Sequence, residues 1–279
     1  MVIKIDYKFS VLMSVYHKEK PEYFDLALKS NLVDQTLLPD EFVLVCDGKL
    51  TAELDKVIEN YQSRFPDILK VYRFNENQGL GKALNFGIEK CSYELIARAD
   101  SDDVCADTRF EEQIEYFKNN DIDFLGSYIY EFEQDYTNPD TIKELPLEHD
   151  DIVKMARMRN PLNHMTVMYK KSAVVDVGSY IHLPYTEDFY LWLRAINKGY
   201  KFANIGKVLV YARVGNGMVE RRGNKEYISS WKVLAKYMLD NKMITRFKYI
   251  ENMVSVRAFI YMPLRVREFF YKYVLRKKI

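Results

Sequence analysis

Five short apolar runs, at residues 9–15, 42–46, 68–74, 94–98 and 122–126, recur along the first half of the chain with a helical pattern between neighbours. Runs of this length, apolar at successive rather than alternate positions, belong to strands buried on both faces. The segments between them carry helix signals. Pro21 suits a first helical position, and Phe24, Ala27, Leu28 and Leu32 form a stripe behind it. Thr51 can N-cap a helix bearing Leu54, Val57, Ile58 and Tyr61. Leu80, Ala83, Leu84, Gly87, Ile88 and Cys91 keep register on a third helix, and Asp107 can cap a fourth bearing Phe110, Ile114 and Phe117. Strand–helix alternation at this spacing predicts an α/β fold with a largely parallel, doubly wound sheet. The 279 residues suffice for one large domain or a domain with an appendage.

Open sheets of this kind bind ligands beyond the C-terminal ends of their strands. Here the first four strands end in Tyr16 and His17, then Asp47, then Asn75 and Asn77, then Asp100 and Asp102. Any one could be a turn residue, as Asp47-Gly48 commonly is. Four on one rim favour a shared pocket. The densest stretch is ARADSDD at residues 97–103. Clustered carboxylates repel one another and resist desolvation. A hard divalent cation relieves that, and one held by one or two carboxylates shares itself with substrate phosphates. An acidic cluster opening a loop is also an ordinary solvated turn or helix cap, so these residues alone leave both readings open.

The pattern loosens over residues 131–150, then offers a helix from about 150 to 158, a break at Asn160-Pro161 and a short strand at 166–169. TEDFYLWLRAINKG at 186–199 is a helix: Thr186 is placed to N-cap it, Phe189, Trp192, Leu193 and Ile196 form its stripe, and Gly199 can end it. Glu187 and Asp188 then fall in the first turn, where the helix dipole favours ionised carboxylates. Acidic residues gather there for stability alone; the functional alternative is a general base for an attacking hydroxyl.

A net charge of +1 hides an asymmetry, because residues 213–279 hold 16 Lys and Arg against 5 Asp and Glu, leaving 25 against 35 upstream. A basic tail on an acidic body points to a polyanionic partner. Trp231, Tyr237, Phe247, Tyr249, Phe259, Tyr261 and Phe269 lie among those cations. Such helices can rest on an anionic membrane surface, each basic side chain adding about 1 kcal/mol, while packing some aromatics on the domain. Nucleic acid suits the charge but no recognised binding module is present. No apolar stretch reaches 18 residues, and the N-terminal apolar run is short and carries Lys4, Asp6 and Lys8, so neither a membrane span nor a signal peptide is expected. Cys46, Cys91 and Cys105 read as small buried residues in a reducing compartment, which predicts a cytoplasmic protein on the inner face of the plasma membrane.

Taken together, FSVLMSVYHKE, VLVCDGK, NQGLGKALNFGI, ARADSDD, NHMTVMYKKS and TEDFYLWLRAINKG resemble, in order over residues 9–215, the family 2 glycosyltransferases of GT-A fold. The segment LVYARVGNGMVERRGN with its basic, aromatic tail resembles the bacterial surface-polysaccharide branch related to the amylovoran glycosyltransferases. The resemblance implies a GT-A, Rossmann-like, mostly parallel sheet flanked by helices over residues 1–215, with a basic helical membrane-associating extension over 216–279. It implies that Val15, Tyr16 and Asp47 hold the nucleotide base and ribose, and that Asp100 and Asp102 form the DxD pair, Asp102 binding Mn²⁺ or Mg²⁺ directly. Asp188 would be the catalytic base and Glu187 would touch acceptor or donor sugar. Lys82 could reach phosphate or sit on a solvated helix face, and His164 could touch acceptor or metal or be structural. Arg213, Arg221 and Arg222 suit a diphosphate, since guanidinium forks match its oxygens, and Gly215, Gly217 and Gly223 around them suit a closing loop.

Ser14 stands where many relatives have Pro, His17 where they have Asn, and Lys49 where they have Ser, which bears on base and ribose contacts rather than on the fold. No QxxRW-type motif is present, which argues against a processive synthase. The implied reaction moves one hexose, glucose or galactose, from a UDP-sugar to a lipid-diphosphate-linked sugar of GlcNAc type, with inversion to a β-linkage. A sugar-phosphate nucleotidyltransferase would need a Gly-rich basic loop after the first strand, and SVYHKEKPE has no glycine. A non-catalytic membrane-associated binding protein would tolerate loss of Asp188.

Overall fold

The computed structural model describes residues 7–215, 224–267 and 276–278. Strands β1 (Phe9–Val15), β2 (Glu41–Cys46), β3 (Leu69–Arg73) and β4 (Leu95–Ala99) run parallel in the order β3-β2-β1-β4. Helices α1 (Pro21–Leu32), α2 (Ala52–Arg64) and α3 (Leu80–Lys90) connect them. Side-chain alternation sorts the strands onto two faces. Leu12, Val43 and Val45 meet Ala83, Leu84 and Ile88 of α3 on one face. Val11, Met13, Phe42 and Leu44 meet Phe24 and Leu28 of α1 and Leu54 and Ile58 of α2 on the other. The sheet is therefore doubly wound here, and each such side chain, fully buried, contributes about 1.5–3 kcal/mol.

Helix termini follow the sequence in part. Thr51 Oγ1 accepts from Leu54 N at 3.3 Å, and Pro21 opens α1. Asp107 does not cap α4 (Arg109–Asn119): Thr108 holds that position without a side-chain bond. Before α7 (Glu187–Lys198) the Thr186 hydroxyl donates to Leu183 O instead of capping, so the first turn is left to Glu187 and Asp188. Gly199, at φ +90°, closes α7 in the left-handed region.

Beyond β4 the sheet is mixed. Short β8 (Met168–Lys170) lies antiparallel between β4 and β6 (Phe124–Phe132), so β6 runs with the parallel strands. Parallel to β6 lies β9 (Phe202–Arg213), a strand the apolar pattern does not announce. The register shifts between Ser127 and Ile129, and exposed Gly206 and Lys207 interrupt the period-two signal. Two-residue β5 (Val104–Cys105) pairs antiparallel with β9, and β7 (Thr141–Lys143) and β10 (Lys277–Lys278) extend the far edge. The remaining helices are α5 (His149–Ala156), α6 (Lys171–Asp176), α8 (Lys225–Asp240) and α9 (Arg246–Tyr261).

The C-terminal helices serve two ends. Trp231, Leu234 and Met238 of α8 share a core cluster with Phe189 and Trp192 of α7. On α9, by contrast, Phe247, Ile250, Val254 and Tyr261 are exposed, Phe247 by 78%. No helix among the described residues is long and apolar enough to cross a membrane. All three cysteines are free and buried.

Candidate active site

Three cavities lie end to end, the first at the C-terminal rim of the parallel strands. The first, about 590 Å³, is lined by Ser14, Tyr16, Asp47, Asn77, Asp100 and Asp102 among others. A second of about 330 Å³ shares Leu80 and Asp100 with it and adds Arg98, His164, Tyr180, Glu187 and Asp188. A third of about 400 Å³ shares Tyr185 and Asp188 with the second. Asp100 thus marks one boundary and Asp188 the other.

In the first cavity the strand pleat selects the residues. Ser14 and Tyr16 line it, whereas the Val15 side chain points into the core and its carbonyl accepts from Asp47 N at 2.8 Å. Of the expected Val15 and Tyr16, Tyr16 lines the cavity beside Ser14, and Val15 meets it only through the backbone. Asp47 is buried, and its carboxylate accepts from Gln78 N at 2.7 Å, Gly79 N at 3.0 Å and Asn77 Nδ2 at 2.9 Å. Gly48, at φ +94°, passes so close that a Cβ would stand 2.8 Å from Asn77 N. Asp47 therefore staples the loop entering α3 to the end of β2 while lining the cavity. Lys82 lies on the exposed face of α3 beside Phe74 and Asn85, not among the residues of this cavity, because its helix turns it outward.

Lys18, Glu19 and Lys20 close the first cavity from the loop after β1. Glu19 accepts from Ser101 Oγ at 2.7 Å, which fastens that loop to the acidic one. Arg98, buried in β4, forms an ion pair with Asp100. Asp102 is pushed up to about 7 by burial above all, then by the charges of Asp100 and Glu19. Burial, then Asp102 and Asp100, raises Asp103 well above the usual carboxylate range, although Arg213 N donates to its Oδ1 at 2.8 Å. Its buried Oδ2 has no hydrogen-bond partner among the described residues.

This carboxylate set fits a divalent cation, since it is short of positive charge where it is most buried. Among the described residues no three His, Cys, Asp or Glu groups converge into a complete cage. Asp102, with Asp100 beside it in the same cavity, could hold such a cation.

Arg213 holds the acidic loop from behind. Its guanidinium lies 3.6 Å from the Tyr23 ring centroid and 4.5 Å from that of Phe132, and Nε donates to Asp102 O at 3.2 Å. Arg221 and Arg222 lie outside the described residues.

The middle cavity is framed from both halves of the chain. Asn85 clamps the Tyr180 backbone, donating to its O at 2.7 Å and accepting from its N at 2.8 Å. Tyr180 Oη lies 2.8 Å from His164 Nε2, and burial with the Arg98 cation pushes His164 well below its ordinary range, so the ring is neutral. Glu187 is pushed up by burial first. Asn160 Nδ2 donates to Asp188 Oδ2 at 2.6 Å, which fixes the carboxylate at the mouth of the third cavity.

Arg98, Glu19 and Asn160 were not among the residues that sequence reading selects. A lone charge inside the apolar run LIARA is a signal for Arg98. Asn160 announces itself only as the residue before Pro161, and Glu19 as one of several charges in a loop.

Comparison with known proteins agrees with this arrangement. The family model described as Glycosyl transferase family 2 matches residues 10–182. Amylovoran biosynthesis glycosyltransferase AmsE of Erwinia amylovora is 39% identical over 270 residues, covering 95% of this chain and 98% of the relative. An Escherichia coli protein named UDP-Gal:alpha-D-GlcNAc-diphosphoundecaprenol beta-1,3-galactosyltransferase is 36% identical over 273 residues, 97% of each chain. In fold, the chain superposes on Staphylococcus aureus TarS 1–349, solved with UDP-GlcNAc, with a TM-score of 0.67 at 19% identity, covering 95% of this chain and 76% of that one. Strand order, cavity rim, family match and full-length relatives converge: the chain is a GT-A-fold glycosyltransferase and belongs to glycosyl transferase family 2.

Proposed function

We propose that the protein is an inverting, metal-assisted hexosyltransferase of surface-polysaccharide assembly. It would move a single glucose or galactose from a UDP-sugar to a GlcNAc-type sugar on polyprenyl diphosphate, within O-antigen, capsule or exopolysaccharide repeat-unit synthesis. The observation that carries this reading is the middle cavity, where Asp100 of the acidic loop and Asp188 of α7 face one space of about 330 Å³. The donor's nucleotide and diphosphate fill the first cavity, with Tyr16 and Asp47 beside the base and ribose and Lys18 and Lys20 near the diphosphate. The donor hexose then extends past Asp100 into the middle one.

Asp188 accepts the proton of the acceptor hydroxyl as its oxygen attacks the anomeric carbon. The bond from that carbon to the UDP oxygen breaks, and UDP leaves with the electron pair. One displacement inverts configuration, giving a β-linkage from an α-linked donor. Asn160 orients Asp188, and Glu187 holds a sugar hydroxyl. Mn²⁺ or Mg²⁺ on Asp102, with Asp100 as companion, would act as a Lewis acid that neutralises charge on the departing diphosphate. Relatives support the acceptor class, since one is named for a GlcNAc-diphosphoundecaprenol substrate.

The same proposal divides the chain into a transferase domain, residues 1–215, and a membrane-facing extension, 216–279, at the cytoplasmic face. Its support is the exposed apolar stripe of α9 amid the basic tail. The test is release of UDP from UDP-glucose or UDP-galactose with a GlcNAc-diphosphate-lipid, with and without Mn²⁺. Metal-dependent release that Asp188→Asn abolishes supports the reading; no release with either donor sinks it.

A further inference from the structure

The cavity of about 400 Å³ beyond Asp188 is made of different material from the two before it. Tyr227 and Trp231 of α8 and Phe259 of α9 give it an aromatic wall, and Arg159 and Arg276 bring two guanidinium groups to it. Arg276 is matched by Glu131 at 2.6 Å. Arg159 pairs with no carboxylate among the described residues, and the charge of Arg276 bears on it unfavourably. A guanidinium without a carboxylate partner beside apolar rings suits an amphiphile with an anionic joint, because guanidinium forks grip phosphate oxygens and rings take sugar and hydrocarbon. The groove also opens on the right atoms. Asn160, the residue after Arg159, donates to Asp188, so the segment that carries the guanidinium also fastens the base on α7.

We propose that this groove is the acceptor subsite, with Arg159 as the residue that recognises the acceptor's diphosphate. The acceptor sugar lies at Asp188, the diphosphate at Arg159 with Arg276 behind it, and the first lipid units pass over Phe259. This assignment rests on the transfer reaction proposed above and adds to it where, and by which side chain, a lipid-diphosphate is told from a plain glycolipid.

The test compares two acceptors bearing the same undecyl chain, one GlcNAc-α-diphosphate and the other GlcNAc linked without phosphate. Arg159→Gln should raise KM for the diphosphate acceptor at least about tenfold, the scale of a charge-assisted bond. It should leave KM for the UDP-sugar within about twofold and lift the wild type's preference for the diphosphate acceptor. Arg159→Lys, a point charge without the fork, should recover part of the loss. Arg159 is exposed, so unchanged thermal melting is the folding control. Wild-type transfer with an unchanged diphosphate-acceptor KM in Arg159→Gln, or equal losses with both acceptors, overturns the groove assignment alone. Wild type that neither transfers sugar nor binds the diphosphate acceptor by calorimetry overturns the groove and the transfer reading together.

Discussion

The cavities on either side of the reaction space are built by opposite strategies. The donor side is made at strand ends, where parallel β1, β2 and β4 stop together and short loops are fastened by side-chain bonds to backbone. Asp47 holds three donors and Glu19 holds Ser101, so the polar groups there are set before any ligand arrives. The groove proposed for the acceptor is made by helix faces and segments far apart in the chain, from Lys143 to Arg276, and adds aromatic rings and guanidinium groups to the carboxylates of Glu144 and Asp188. A preorganised polar rim suits a ligand of fixed shape, a nucleotide diphosphate. A broad aromatic groove tolerates variation in what docks. The proposed transfer lies on the seam between them, with Asp100 and Asp188 each shared by two cavities.

The sharpest way to break that division is at Asp188. Asp188→Asn should lower kcat by about a thousandfold, within the range for removing a general base, while UDP affinity by calorimetry stays unchanged. A parallel loss of UDP binding would mean that the seam residue belongs to the donor side as well. Asp102→Ala tests the other wall. Loss of the proposed cation's carboxylate should cut UDP affinity in Mn²⁺ by roughly a hundredfold, since metal clamps contribute several kcal/mol, and should remove the difference between assays with and without metal.

The cavity at the strand ends was legible in the sequence and the aromatic groove was not, for a physical reason. A parallel strand buried on both faces betrays its end by the first polar residue, so Tyr16, Asp47, Asp100 and Asp102 stand out in linear order. One step of pleat still separates Val15, in the core, from Ser14 and Tyr16, in the cavity. Helix rotation does the same for Lys82, which its position on α3 turns away. The acceptor groove has no linear signature: Arg159 reads as one charge at a frayed helix end, and Trp231 as one aromatic in a tail. Long β9 also escapes, because bulges break the period that would announce it.

A preorganised rim makes a stability prediction. Asp47→Ala leaves Gln78 N and Gly79 N without their acceptor, while the Asn77 amide keeps its bond to the Asp47 carbonyl. These donors are partly exposed and regain water, so each lost bond costs about 0.5–1.5 kcal/mol, and chemical denaturation should show a loss of about 1–3 kcal/mol with weaker UDP binding. Asp47→Asn keeps one acceptor oxygen and should lose less. On the acceptor side the matching change should be silent in folding. Phe247→Ser with Ile250→Ser removes exposed apolar surface. It should weaken sedimentation with anionic vesicles by about tenfold, less than full burial of two such side chains would give. Transfer to a short-chain acceptor should not change. Equal loss in both assays would show that α9 shapes the groove rather than its approach to lipid.

The smallest effect lies at the seam itself and is read through pH. His164 is neutral in the folded protein because burial, and then the Arg98 cation, pushes it well below its ordinary value of 6.5. The unfolded chain therefore binds a proton there that the folded chain does not. Stability from His164 is fully present above about 6.5 and is lost as pH falls toward the folded value, with a slope of at most about 1.4 kcal/mol per pH unit for one proton. Asp102, raised to about 7, titrates with the opposite sign in an overlapping window. The readout is therefore the difference between two curves rather than either alone. Unfolding free energies from pH 8 to 5 should fall less steeply in His164→Asn than in wild type, from a lower value at pH 8 because the Tyr180 hydroxyl loses its ring partner. Glu41 does not confuse the result. Burial raises its pKa, but bonds from Lys70, Ser10 and Ser92 hold it below 4.5, so its contribution is lost only at lower pH. Parallel curves for the two proteins would mean that the ring is solvated and charged at acid pH. The middle cavity, which His164 lines, would then admit water to the ring.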